Sequence, residues 1–256
     1  MIVPFQRQDA RYPDSDGQPM ADNTLQFEWI STLKWGCEVL FADRPDVFVA
    51  GDHLIYPVQL AEDDDTSTPV RIAPDVYVAF GRPKGYRGSY KVWEEEGVFP
   101  QVVFEVWSPS NGVQEMERKR AFYARYGAEE YYLVYPEAPA HVDGWVREGN
   151  ELVEIEDIKS WVSPRLGIRF HLHRGKLTVF RPDGKKFLTP LEQDEQMRLA
   201  QTRAEQEAQR AEQEAQRAAQ ASQRADAAAA ERDLERERAA RLAEKLRQVG
   251  IDPDTA

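Results

Sequence analysis

The sequence predicts an α/β domain, a mixed sheet with flanking helices, followed by a long C-terminal helix. Three observations lead there. Short apolar runs bounded by turn residues alternate with helical patterns up to about Pro190. Between Gln101 and Tyr135 a strand, a helix and a second strand succeed one another, the order of a β-α-β unit with a right-handed crossover. Every Trp, Tyr and Phe lies before Leu188, and the rest of the chain is rich in Ala, Gln, Glu and Arg.

Hydrophobic residues are 41% of the chain and aromatics 11%, so the front part can bury a real core. No run approaches the roughly 18 apolar residues of a membrane span. The opening MIVPFQRQDARYPDSDG lacks the basic-then-apolar order of a secretory signal. Cys37 is the only cysteine, which excludes an internal disulfide and a cysteine-based zinc site. A cytoplasmic protein with no membrane partner is expected. The net charge of -12 counts against nucleic-acid binding through bulk charge but leaves room for a local patch.

Residues 1–22 are polar and Pro/Asp-rich and read as a surface arm. Asp22-Asn23-Thr24 supplies N-cap chemistry for a helix from about Leu25 to Phe41, with Leu25, Trp29, Ile30, Leu33 and Leu40 on its apolar face. Strands are expected at Val47–Ala50, Leu54–Leu60 and Val70–Phe80, the last with Pro74-Asp75 inside it. Gln101–Trp107 reads as a buried strand, Val113–Tyr126 as a helix stopped by Gly127, and Glu130–Tyr135 as a further strand. Short strands are expected at Val142–Val146, Leu152–Ile155, Ile168–Leu172 and Leu177–Phe180.

Two acids stand out in this layout. Asp75 is near the start of its apolar run and Glu105 near the end of its own, so antiparallel pairing of those strands would bring both carboxylates to one edge of the sheet. Acidic oxygens placed so can seat Mg²⁺, which takes oxygen ligands and keeps several waters. Alternation puts Val103, Glu105 and Trp107 on one face of their strand, so Glu105 needs a cation or a proton if buried. The competing reading is a structural pair with a nearby Arg or Lys. On the next helix Glu115, Lys119 and Tyr123 share a stripe, while Phe122 and Tyr126 occupy the stripe expected to face the sheet. Lys119 is thus open to two readings, a site lysine or one half of a surface pair with Glu115.

The segments APDVYVAF, VVFEVWSPSN, ERKRAFYARYGAEEYYLVYP and LGIRFHLHRGKLTVF together resemble the bacterial restriction endonuclease family called Uma-two, of the PD-(D/E)XK nuclease superfamily. The likeness runs from about Arg11 to Pro190, and the closing GIDPD is of a kind often attached there. The resemblance implies a restriction-endonuclease-like fold and Mg²⁺-dependent hydrolysis of phosphodiester bonds in DNA, with Mn²⁺ as a substitute. It makes Asp75 and Glu105 catalytic metal ligands, with the backbone carbonyl of Val106 as a third and Asp22 as a supporting acid from the first helix. The superfamily's usual lysine two residues after the acid is replaced by Trp107, and Lys119 matches the lysine moved to the following helix. The implied role of Lys119 is to orient the attacking water or offset charge on the phosphorane.

In the loop between the acidic strands, Arg82, Lys84, Arg87 and Lys91 alternate with Tyr86, Tyr90 and Trp93, a pattern that can meet phosphates and bases or can pack on the sheet edge. His171 and His173 share a strand face without a third ligand, and His53 and His141 are isolated. AEQEAQR occurs at Ala204–Arg210 and again at Ala211–Arg217, and Ala204, Ala208, Ala211, Ala215 and Ala218 form a heptad seam. Leu242, Leu246 and Val249 resume it in a shifted frame. The organisation expected is a surface arm over residues 1–22, a nuclease-like domain over 23–190, a helix or homo-oligomeric coiled coil over 191–249, and a tail over 250–256. The function expected is a metal-dependent DNA endonuclease. The alternatives are an inactive nuclease-fold module that binds nucleic acid or protein, and a scaffold led by its coiled coil.

Overall fold

The computed structural model describes residues 11–64 and 66–248. Contacts divide the chain after Gln193 into two units. In the first, α1 (Thr24–Leu40) starts where the extended Asn23 accepts the Gln26 N–H on its side chain. It is followed by β1 (Val47–Gly51), β2 (Ile55–Tyr56), β3 (Val76–Phe80), β4 (Tyr90–Lys91), β5 (Val102–Val106), α2 (Val113–Tyr126) and β6 (Glu130–Tyr135). Then come β7 (His141–Glu148), β8 (Glu151–Glu154), β9 (Arg169–His173) and β10 (Lys176–Phe180), and α3 (Pro190–Gln248) runs on into the second unit.

Six strands form one mixed sheet in the order β1-β3-β5-β6-β7-β8. β1, β3 and β5 pair antiparallel, β5 and β6 pair parallel with α2 between them in sequence, and β7 and β8 continue antiparallel. Strict alternation sorts the side chains into two apolar layers. Val76, Val78, Val102, Phe104 and Val106 pack with Ile30, Leu33 and Cys37 of α1 and with Phe170 and Val179 of the β9-β10 hairpin. Tyr77, Ala79, Val103, Tyr131 and Leu133 pack on the opposite face with Met116 and Tyr123 of α2. Each large side chain buried this way contributes roughly 1.5–3 kcal/mol. Gly36, inside α1, leaves the room that the Phe187 ring fills.

Several sequence expectations need correction. The strand expected over Leu54–Leu60 is only Ile55–Tyr56, because Pro57 removes the next ladder donor. β3 begins at Val76 rather than Val70, so Asp75 precedes the strand instead of lying inside it. Within α2 the buried residues are Met116 and Tyr123, with Phe122 and Tyr126 only partly covered, so the inward stripe is the one that carries Lys119. The buried face of α1 includes Gln26, whereas Leu25 is exposed. Tyr12 of the presumed surface arm is buried, its ring 5.3 Å from Tyr56 and 5.0 Å from Trp93. The closing segment from Val249 onward lies outside the described residues.

His53 ties the loop after β1 to the sheet. Its Nδ1 lies 2.6 Å from the Tyr77 hydroxyl and its Nε2 3.1 Å from the Arg87 carbonyl, which suits a neutral ring donating from Nε2. Burial, with Arg87 close by, pushes its pKa below 6.5. The unfolded chain therefore binds a proton that the folded one refuses, and stability is lost as pH falls from 6.5 toward the folded value. The expected outcome is a melting temperature that drops between pH 7.5 and 5.5 in the wild type, with a shallower drop in His53→Gln, as read by thermal melts across that range.

Candidate active site

The β3–β5 register pairs Val76 with Phe104, and one further step places Asp75 opposite Glu105. The two acids thus meet because one lies just before the start of β3 and the other next to the end of β5. Asp75 Oδ2 accepts the Val106 N–H at 2.6 Å. Glu105, only 1% exposed, faces α2, where its Oε2 accepts from Lys119 Nζ at 2.9 Å and its Oε1 from the Tyr123 hydroxyl at 2.5 Å. Lys119 and Tyr123 are one helical turn apart, so a single stripe of α2 serves both oxygens of one carboxylate.

The cleft above these groups holds about 250 Å³ and is lined by Asp22, Gln26, Asp52, Asp75, Glu105, Glu115 and Lys119, among others. Burial first, and the neighbouring Glu105 second, hold the Asp75 carboxyl well above its ordinary value, against the opposing pull of Lys119 and the Val106 N–H. Burial alone would lower the Lys119 pKa, but Glu105 and Asp75 outweigh it, and the ammonium is held above the usual lysine value. Lys119 is therefore a persistent cation and hydrogen-bond donor, not a proton acceptor. Its predicted partner Glu115 lines the cleft, but the lysine bonds to Glu105.

Asp22 lies just before α1 rather than within it. Its Oδ2 accepts from the Ser108 hydroxyl at 2.6 Å and from Ser110, which lowers its pKa and pins the SPSN turn beside the cleft. The polar side chain that α1 itself sends inward is Gln26. Its Nε2 donates to the Val106 carbonyl at 3.0 Å and its Oε1 accepts the Asp22 N–H at 2.8 Å. That carbonyl, a metal ligand by the family resemblance, keeps a second lone pair. Sequence reasoning missed Gln26 and the hydroxyl role of Tyr123. The 4-3-4 spacing of Gln26, Ile30, Leu33 and Cys37 was the available signal, because it places an amide in an otherwise apolar buried stripe.

The basic loop is engaged within the fold. Arg82 pairs with Glu96 at 2.8 Å, Arg87 with Glu95 at 2.5 Å and Lys91 with Glu94 at 3.3 Å. Lys84 Nζ donates to the Phe41 carbonyl at 2.7 Å. Tyr86 alone of the loop aromatics stands out, at 95% exposed. His171 and His173 stack with ring centroids 6.0 Å apart.

Among the described residues no group of three or more His, Cys, Asp or Glu side chains is arranged to hold a metal ion. The cleft is lined by the Asp75 and Glu105 carboxylates, hard oxygens of the kind Mg²⁺ accepts while keeping waters, and by Gln26, which holds the Val106 carbonyl. A divalent cation would also relieve the burial and the Glu105 repulsion that hold the Asp75 carboxyl above its ordinary value. By donor chemistry the residues fit a divalent cation.

A mixed sheet between helices, with two acids at the junction of β3 and β5 and a lysine from the crossover helix, defines a mixed α/β domain with a polar cleft. The Uma2 family model, described as "putative restriction endonuclease", matches residues 38–204. The chain belongs to the Uma2 family. It is also similar to the crystal structure of "a putative nuclease belonging to DUF820" from Anabaena variabilis ATCC 29413. That likeness has 11% identity and a TM-score of 0.41, and it covers 57% of this chain and 74% of the other. A search of curated proteins finds no match. No described helix is long and apolar enough to cross a membrane.

Proposed function

We propose that the chain is a metal-dependent DNA endonuclease whose active site is the cleft at Asp75, Glu105 and Lys119. The observation that carries the reading is the meeting of Asp75 and Glu105 across the β3–β5 register, with Lys119 Nζ 2.9 Å from Glu105. Asp75, Glu105 and the free lone pair of the Val106 carbonyl would hold Mg²⁺ or Mn²⁺. A bound cation supplies Lewis-acid polarisation of the phosphate and a more acidic water.

The remaining work falls to the chain itself. Lys119 orients Glu105 and places a fixed positive charge where a phosphate gains negative charge in the transition state. Tyr123 holds the other Glu105 oxygen, so the carboxylate cannot rotate freely. Gln26 and the Val106 N–H fix the backbone between the two acids. The test is nicking of plasmid DNA with Mg²⁺ or Mn²⁺ by wild type, Asp75→Ala and Lys119→Ala. Cleavage lost in both variants supports the site, and cleavage that survives both refutes it.

One observation favours a catalytically inactive nuclease-fold module as the second reading. Both Glu105 oxygens are already satisfied, by Lys119 and Tyr123. Calorimetry with Mg²⁺ and Mn²⁺ separates the two, since an inactive module binds neither cation.

Homo-oligomer formation through α3 belongs to the same proposal. The seam alanines Ala204, Ala208, Ala211, Ala215 and Ala218 are exposed along this helix, and so is Leu242. Alanine knobs bury little area, so the association expected is weak. Sedimentation equilibrium should show concentration-dependent dimers, and Ala211→Glu with Ala218→Glu should shift the chain to monomer.

A further inference from the structure

A second cavity, of about 440 Å³, opens on the other flank of α2. That is within the range of roughly 300–1,000 Å³ typical of small-molecule sites. Its walls are two ring stacks. Trp107 lies on Tyr135 with centroids 5.4 Å apart and planes 29° apart, and Tyr131 lies on Trp145 at 5.1 Å and 27°. The buried Met116 and Leu133 complete the apolar lining. Arg120 sits 5.2 Å over the Trp145 ring, and Glu117, Asp143 and Glu154 add carboxylates.

One group in this lining lacks what the fold normally provides. Tyr131 is 1% exposed, and its hydroxyl has no hydrogen-bond partner among the described residues. A buried hydroxyl left unpaired is costly, and a ligand atom at the cavity wall would remove that cost. Burial also keeps this phenol protonated, so it stands ready as a donor.

The cavity and the acidic cleft share their supports. Trp107 lies just past the end of β5, two residues after Glu105, and its N–H continues the ladder to the Val134 carbonyl at 2.7 Å. On α2, Lys119 lines the cleft while Met116 and Arg120 line the cavity. Tyr123 bridges them, bonded to Glu105 and with its ring 5.4 Å from Tyr131.

We infer that this cavity receives one amino-bearing nucleobase, unstacked from its strand, of the nucleic acid whose backbone lies in the Asp75–Glu105 cleft. Stacked aromatics take a flat heteroaromatic ring, and they do so on either face. Three carboxylates against one arginine repel a phosphate but accept the hydrogens of an exocyclic amine. The Tyr131 hydroxyl donates to a ring nitrogen or carbonyl. Turning the base out of the stack is the ordinary route by which a side-chain pocket reads one. Trp107 thereby has a job in this chain at the position where the superfamily places its lysine. The assignment to a strand rests on the nuclease reading, but the affinity of the cavity for a base does not.

The experiment uses the full chain in EDTA, so that cleavage plays no part. The probe is a single-stranded DNA carrying 2-aminopurine at its centre, compared with the same strand bearing an abasic site there. The expected result is quenching of the 2-aminopurine on binding and clearly weaker binding of the abasic strand. Trp107→Leu should weaken the base-bearing strand by about five- to a hundredfold, and Tyr131→Phe by about two- to tenfold. Tyr131→Phe removes an oxygen the fold does not use, so its melting temperature should match or exceed the wild type, which separates loss of a ligand contact from loss of structure. Equal affinity for the two strands, absence of quenching, or wild-type binding by both variants overturns the inference. Base-dependent binding without plasmid cleavage in Mg²⁺ leaves the cavity standing and removes the nuclease reading. Cleavage without base dependence does the reverse.

Discussion

Asp75→Asn is expected to abolish plasmid cleavage and to make the metal-free protein more stable. The carboxylate is one of two acids in the cleft, and losing it removes an oxygen ligand and half of the negative charge that would hold a cation. A loss of about a hundredfold or more in rate is the scale for removing such a transition-state contact. The stability effect comes from the same crowding. Burial and Glu105 raise the folded pKa of Asp75 above the ordinary 3.8, so the folded chain retains a proton that the unfolded chain releases. Stability therefore falls as pH climbs above 3.8 through the folded value. The amide in Asp75→Asn carries no such proton, and its oxygen can still accept the Val106 N–H.

Thermal melts in EDTA at pH 7.5 should place Asp75→Asn above wild type, each kcal/mol gained showing as about 2–4 °C for a domain of this size. Added Mg²⁺ should raise the wild type by mass action and leave the variant where it was. A variant that melts below wild type in EDTA contradicts the crowded-carboxylate account. Equal responses to Mg²⁺ contradict the assignment of Asp75 as a ligand.

The largest stability loss is expected at Glu130, an acid the nuclease site does not use. Glu130 is 1% exposed, like Glu105, and sits on the neighbouring strand β6. Its carboxylate accepts the Tyr132 hydroxyl at 2.7 Å, the Ser163 hydroxyl at 2.5 Å and the Arg165 N–H at 2.6 Å. Trp161 Nε1 in turn donates to the Tyr132 oxygen at 2.9 Å, so one carboxylate anchors the chain from Trp161 to Arg165 against the sheet. Glu130→Ala strands those donors in a buried place. The cost should be about 3 kcal/mol, read as a melting temperature lower by roughly 6–12 °C. Cleavage per folded molecule should be unchanged. A shift under about 2 °C would mean that the donors find other partners.

The contrast between these two glutamates shows how much of the site was legible. Both are acids in strands whose other residues are mostly apolar or aromatic, and alternation alone does not tell them apart. Their partners set them apart. Glu130 is surrounded by hydroxyl and amide donors, whereas Glu105 faces an ammonium, a tyrosine and a second carboxyl across a cleft. Lys119 illustrates the same limit. Spacing left it between a surface pair with Glu115 and a site residue, and the rotation of α2 that buries Met116 and Tyr123 brings its ammonium to Glu105. The cations between Arg82 and Lys91 looked available for phosphates, yet Glu94, Glu95 and Glu96 turn back on them through a tight turn at Val92–Glu94.

By itself the sequence determined the order of the main elements but not the short β4, and it determined the bounds of α2 and β6, the charged helical tail and the face on which Glu105 lies. Those properties depend on local periodicity and on Gly and Pro at fixed offsets, which act within a few residues. Only the tertiary structure decided that Asp75 abuts Glu105, that Gln26 reaches the carbonyl of Val106 and that Trp107 opens onto a second cavity. Each of these depends on strand register or helix rotation. Both are set by how two apolar layers close on the sheet, at separations in sequence that no local pattern spans.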